Sequence, residues 1–348
     1  MQNYLTPAQA AKRLSVTTHT LRVWDKEGKI ATVRTPGNQR RIPESEINRL
    51  LNPTYTKYTD IPDSSAAAEH SVDYSTHKNS RVVASTHDLL IDRELSAGGS
   101  GGNLPKWVLR SPGGQRYYAK ARSRQNSLEP EAEICAYRLA CLFGIPAVEY
   151  ELVSLPQLSD GPVCICRDYS NGKKVMSLYR YVQGVTGQSP AEVIDGKNKF
   201  DLVTSVLSPE DIEKHVSILY LDYIVGNKDR HLRNFDVWVN ADGSLNCLVP
   251  VFDSGDSLFA AEPDSEIQRA NKAGNNFVHS KPYMNPHLAQ ANLLREKDWL
   301  PTLDSVNKAD VMDIISSCFS SSGRGTGKRA EYLCRYVTGN IERLGLLR

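Results

Sequence analysis

Three residues of reactive type stand close together in this chain. Asp229 lies in Ile224-Val225-Gly226-Asn227-Lys228-Asp229-Arg230-His231-Leu232-Arg233-Asn234-Phe235, with Asn234 five residues after it. Asp253 follows in Val251-Phe252-Asp253-Ser254-Gly255. A carboxylate such as Asp229 can accept or orient the proton of an attacking hydroxyl. An amide oxygen and a second carboxylate, Asn234 and Asp253, can hold Mg2+, a hard ion that needs few protein ligands once phosphates supply the rest. Together they imply phosphoryl transfer from ATP to a hydroxyl. Asp and Asn beside glycine are also common turn residues, so the reading rests on the ordered set and not on any one member.

That chemistry needs elements to hold it. Asp236–Pro250 reads as two short strands around a turn at Asn240-Ala241-Asp242-Gly243, which brings Asn234 and Asp253 to the two ends of one hairpin. An apolar helix over Pro209–Tyr223 delivers the chain into the Asp229 segment. Upstream, Ser96-Ala97-Gly98-Gly99-Ser100-Gly101-Gly102-Asn103 is a glycine-rich loop. Backbone N–H groups at Gly98, Gly99, Ser100 and Gly101 can close around phosphates. Lys106–Arg110 and Arg116–Ala121 form the hairpin that follows, ending at Lys120, a point charge for the same phosphates. A helix over Glu129–Phe143 carries Glu131 and Glu133, either of which could pair with Lys120, with Glu133 favoured because it borders the apolar face. Val148–Ser154 and Pro162–Arg167 read as strands, the second leading to a hinge where backbone groups near Ile165–Arg167 hold adenine. A polar stretch, Pro263–Pro286, reads as a mobile substrate-side segment, and helices are expected near His287–Trp299, Lys308–Phe319 and Thr326–Leu344.

Composition narrows the class. The 348 residues are 40% apolar and 24% charged, ordinary for a globular chain of two or three domains. No run of about eighteen apolar residues occurs, so no membrane partner is expected. Seven cysteines, with no secretory pattern at the start, point to reduced thiols in a cytoplasm. Cys164-x-Cys166 has no second pair at ligand spacing and reads as one face of a buried strand.

The net charge of +2 hides an asymmetry: residues 1–50 hold nine Lys/Arg against four Asp/Glu, and the remainder holds 33 against 36. A basic module on a slightly acidic body points to DNA as a partner. Residues 1–52 read as a helix over Pro7–Leu14, a tight turn, a second helix capped by Thr17 or Thr18 and ending at Gly28, and then a β-wing. Leu21 and Trp24 supply the second helix's buried face. Arg34, Arg40 and Arg41 give the wing its positive charge, suited to phosphate contact. Residues 53–80, rich in Thr, Ser, Asp, Tyr and Ala, read as a flexible linker.

Two resemblances bear on these readings. Tyr4–Ala11, Arg22–Ile30 and Gln39–Ile42 resemble the MerR/excisionase winged-helix family, which implies DNA reading through Thr18, His19 and Arg22. Asn227-x-Asp229-Arg230-His231-x-x-Asn234-Phe235, Phe252-Asp253-x-Gly255, Lys120 and Ser96-x-Gly98-Gly99 resemble the HipA-like kinases over roughly residues 90–345. That likeness implies an α+β, two-lobed protein-kinase-like fold over 81–348, with lobes of about 81–168 and 169–348. It adds His231 to the catalytic set. It implies a bacterial serine/threonine kinase, with ATP and Mg2+ as cofactors and a protein substrate. Several such kinases are toxins, with an antitoxin partner and autophosphorylation in the glycine loop, which here points to Ser96 first and Ser100 second. Two other classes stay open: a DNA-binding regulator whose kinase-like body senses nucleotide, and a small-molecule kinase.

Overall fold

A computed structural model describes residues 4–14, 21, 25, 30, 32–34, 40–44, 47, 89–92, 106–124, 127–170, 172–319 and 328–347. The chain divides into two compact units, residues 1–71 and 72–348.

In the first unit, β1 (Tyr4–Leu5) leads into α1 (Pro7–Leu14), and β2 (Val33–Arg34) and β3 (Arg40–Pro43) pair antiparallel. Thr6 opens α1 with Pro7 at its first position, and its hydroxyl accepts from the Gln9 N–H. β1 is unforeseen: it adds to β3 with Tyr4 opposite Pro43 and Leu5 opposite Ile42, giving the order β1-β3-β2. Ala10, Ala11, Leu21, Ile30, Ile42 and Ile47 form the core. Of the expected second helix only Leu21 and Asp25 lie among the described residues, and Leu21 is buried as anticipated.

The second unit begins with an antiparallel sheet. β4 (Leu90–Ile91), β5 (Lys106–Arg110), β6 (Arg116–Lys120), β7 (Tyr150–Ser154) and β8 (Pro162–Arg167) lie in the order β4-β5-β6-β8-β7. Alternation along β8 separates its two faces. Val163 and Ile165 face a small cluster with Leu109, Tyr117, Ala119 and Leu155. Cys164 and Cys166 face the main core beside α2 (Glu129–Leu142), and burial pushes both thiols up.

Past β8 the chain crosses to a helical half through β9 (Lys174–Ser177), which joins the hairpin of β10 (Asp236–Val239) and β11 (Leu245–Leu248) in the order β11-β10-β9. The remaining elements are α3 (Leu178–Thr186), α4 (Gly196–Thr204), α5 (Pro209–Val225), α6 (Asp264–Ala273), α7 (His287–Glu296), α8 (Lys308–Phe319) and α9 (Lys328–Leu344). The polar stretch 263–286 is therefore a helix followed by a pinned loop. Ser280 Oγ donates to the Met284 carbonyl (2.6 Å), and Gln290 accepts from the Tyr283 N–H (3.2 Å) while donating to the Lys281 carbonyl (3.0 Å).

The helix α5 runs through the middle of this half. Ser208 caps it through the Asp211 N–H, Pro209 takes the first position, and Gly226 ends it at φ 65°. Its last carbonyls are met from elsewhere: Asn275 donates to Tyr223 (2.7 Å) and Asn340 to Ile224 (3.1 Å). A Cβ at Gly226 would sit 2.5 Å from Tyr336 Oη, and that hydroxyl donates to Asn275.

Two fully buried histidines brace this half. His215 Nε2 lies 2.7 Å from Tyr283 Oη, and His287 Nε2 donates to the Asn227 carbonyl at 2.8 Å. Burial pushes both imidazoles down to about 3. They are neutral when folded, whereas an unfolded histidine titrates near about 6.5. Stability is therefore complete above that pH and is lost as pH falls toward 3, at up to about 1.4 kcal/mol per pH unit for each histidine. Urea midpoints at successive pH values should fall across this window, and His215→Phe should flatten the slope.

Candidate active site

The Asp229 segment begins where α5 stops. The Asn227 side chain accepts from the Asp229 N–H (3.0 Å) and donates to Asp222 (2.8 Å), so the loop is tied back to its own helix. Asn234 Nδ2 donates to the Asp229 carbonyl at 2.8 Å, which leaves the amide oxygen of Asn234 as a hard donor. Arg230 is fully buried between these segments. Its guanidinium donates to Asp222 (3.0 Å), to Ser254 Oγ (2.7 Å), and to the carbonyls of Asn234 (3.1 Å) and Phe252. Burial pushes the Asp222 carboxyl up despite the guanidinium against it.

Asp253 adopts φ 57°, a left-handed backbone uncommon for a residue with a side chain and typical of functional positions. Its carboxylate accepts from Lys120 at 2.8 Å and from Lys106 at 3.5 Å. Burial alone would raise it, but Lys120 and then Lys106 outweigh that and hold it well below the usual carboxylate range. Lys120 is likewise disfavoured by burial, and Asp253 and Glu133 together hold it well above the usual lysine range. Glu133 is the partner of Lys120 (3.2 Å), while its second oxygen accepts from the Ser254 N–H (2.8 Å). Glu131 instead pairs with Arg122. Space is tight at the glycine of the Asp-x-Gly segment: a Cβ at Gly255 would lie 3.3 Å from both the Glu129 carbonyl and a Glu133 oxygen.

Lys120, Glu133, Asn234 and Asp253 are thus linked, directly or through Arg230, in one network. The oxygen donors of Asn234 and Asp253 suit Mg2+, and paired lysines beside them suit the phosphates of a nucleotide. Asp229 stands at the open side, half exposed, with Lys281 donating to it at 2.7 Å and His231 Nε2 lying 4.0 Å away. Burial pushes the His231 imidazole down in spite of Asp229. Among the described residues no group of three His, Cys, Asp or Glu side chains forms a metal cage.

Some sequence expectations change. Ile165 lies in a strand paired on both sides, opposite Ala119 and Glu151, so its main-chain groups belong to the sheet and not to adenine. Arg167 stands at the exposed end of that strand, where the crossing to the helical half begins. There Tyr169 stacks on Phe252 (5.2 Å between centroids) and donates to Asp236. Arg40 is ion-paired with Asp25 at 2.5 Å within the first unit. Arg41 is half-buried beside it. Thr18, His19, Arg22, the side chain of Arg34, Ser96, Gly98, Gly99, Ser100, Gly101 and the linker 53–80 lie outside the described residues. Lys106 and Lys281 escaped the sequence reading, and Arg230 was read there only as part of a motif, with no role of its own. Lys106 had a signal, since it stands opposite Lys120 in the expected hairpin.

The larger unit has a protein-kinase-like fold: a five-stranded sheet with one helix, a crossing, and a helical half carrying the Asp229 loop. The chain is similar in structure to the proinflammatory kinase CtkA of Helicobacter pylori, at 14% identity and TM-score 0.57, covering 74% of this chain and 94% of that one. The HipA chain of the Shewanella oneidensis MR-1 HipA, HipB and operator DNA complex (11% identity, TM-score 0.44, 71% and 64%) and the Golgi casein kinase with Mn/ADP bound (15%, 0.35, 71% and 71%) also align. Residues 6–42 match the MerR family regulatory protein family, so the N-terminal unit carries a MerR-type domain. No curated protein matches the chain. No described helix is long and apolar enough to cross a membrane.

The buried guanidinium generates a test. Arg230→Met strands Asp222 and two carbonyls, and should cost roughly 3–5 kcal/mol of unfolding free energy. Urea denaturation of the full chain measures it.

Proposed function

We propose that this chain is an ATP-dependent serine/threonine protein kinase of HipA type joined to a DNA-binding domain. The observation that carries it is the convergence of Lys120, Glu133 and Asp253, with Arg230 bridging from the backbone beside Asp253 to Asn234 and the Asp229 loop. Lys120, held by Glu133, positions phosphates as a point charge. Asn234 and Asp253 would hold the metal, which when bound neutralises charge on the phosphates. Asp229 orients an incoming hydroxyl and takes its proton, and Lys281 steadies the carboxylate before the acceptor arrives. His231 stays neutral at physiological pH and lines the approach. The glycine-rich loop, with Ser96 and Ser100, supplies a candidate site of self-phosphorylation, and the MerR-type domain supplies DNA binding with a gene-regulatory role.

Incubation with Mg2+ and ATP followed by intact and peptide mass spectrometry tests this. Phosphate should appear on the wild type and not on Asp229→Ala, mapped to Ser96 or Ser100. If wild type gains no phosphate and no nucleotide binding is detected by calorimetry, the reading is wrong and DNA binding becomes the main activity. If nucleotide binds without transfer, and operator binding responds to it in Asp229→Ala as well, the body is a nucleotide sensor.

A further inference from the structure

We infer that Lys281 is a catalytic residue, its ammonium passing from Asp229 to the terminal phosphate of the bound nucleotide. This rests on the kinase reading and adds a residue to its machinery.

The lysines around the site divide between separate carboxylates. Lys120 and Lys106 pair with Asp253. Lys228, although next to Asp229 in sequence, turns to Asp256 (3.1 Å) and Glu262. Arg230 is committed to Asp222 and Ser254. Asp229 is met instead by Lys281, 52 residues further along the chain, whose ammonium lies 2.7 Å from Oδ1. Both side chains of this pair are part-exposed, and such pairs contribute little to stability.

The backbone beneath Lys281 is nevertheless fixed by polar groups that are costly to bury unpaired. His287 closes the loop by donating its N–H to the Val278 carbonyl (3.1 Å), and its imidazole donates to the Asn227 carbonyl (2.8 Å). Gln290 donates to the carbonyl of Lys281 itself (3.0 Å), and Ser280 to that of Met284 (2.6 Å). Asn227 in turn accepts the Asp229 N–H (3.0 Å), so both sides of the contact are tied to one residue. Asn227, Ser280, His287 and Gln290 are all buried. They set where Lys281 starts relative to Asp229, while its flexible stem leaves the ammonium free to move.

The reaction calls for a cation at this place. The acceptor oxygen sits within hydrogen-bond reach of Asp229, about 2.6–3.2 Å, and the phosphorus it attacks lies about 3–3.5 Å from that oxygen. A terminal phosphate carries more negative charge than one carboxylate, so it draws the ammonium off Asp229 and frees Oδ1 for the hydroxyl. In the step itself the acceptor oxygen bonds to the terminal phosphorus as the bond from that phosphorus to the bridging oxygen breaks. ADP leaves with the electron pair, and the hydroxyl proton passes to Asp229. Lys281 keeps its own proton and neutralises charge on the phosphoryl group in transit.

The test uses the full chain with Mg2+ and calorimetric titration of ADP and of a non-hydrolysable analogue, β,γ-methylene ATP. Wild type, Lys281→Met and Lys281→Arg are compared. Lys281→Met should bind the ATP analogue about tenfold more weakly than wild type and ADP equally well, and Lys281→Arg should regain part of the difference. Phosphate gain with ATP itself, followed by mass spectrometry, should slow about a hundredfold in Lys281→Met. Unchanged binding of the analogue by Lys281→Met overturns the inference and leaves the kinase reading. So does an equal loss for analogue and ADP, with or without a lower urea midpoint, since that is the mark of a structural role. Wild type that binds neither nucleotide overturns both.

Discussion

One buried cation organises the helical half. Removing a guanidinium from water is costly unless its donors are met, and Arg230, with no exposed surface, is met on three sides. That arrangement brings α5, the backbone at Asn234, and the segment Phe252–Ser254 to a common point. Asn234 and Asp253 are thereby positioned through their own backbones before any ligand is considered. Their side chains are left for other work.

The sheet is joined to this point by Glu133. Its two oxygens divide between Lys120 and the Ser254 N–H, so α2, β6 and the Asp-x-Gly segment are tied together. Two lysines and two carboxylates at the joint nearly cancel in charge, which explains how so many ionised groups share a buried place. Neutrality is local, and it is achieved across segments far apart in the chain.

Much of this was legible in the sequence, because the informative features are local. The helices expected over Pro7–Leu14 and near Lys308–Phe319 match the observed ones. The hairpin β10–β11 was marked by its Asn-Ala-Asp-Gly turn, with Gly243 at φ 88°. The short strands β1 and β9 were not readable, since two or four residues carry no period and exist only through partners distant in sequence. The same reason hid Arg230 and Lys281: a charged residue looks solvated until the fold supplies its neighbours. Ile165 illustrates the opposite error, a strand seen correctly whose position inside the sheet, and hence whose main-chain commitments, could not be.

The end of α5 carries a consequence for how the molecule can change over generations. Gly226, Tyr336, Asn275 and Asn340 meet there, linking the last helix to the residue from which the Asp229 loop departs. A side chain at 226 is admitted only if 336 shrinks, and a smaller 336 abandons Asn275. Drift at these sites is therefore concerted, and lineages of this fold should keep or lose the quartet together. The helix α9 is inherited with the Asp229 loop as a single unit, although about a hundred residues separate them.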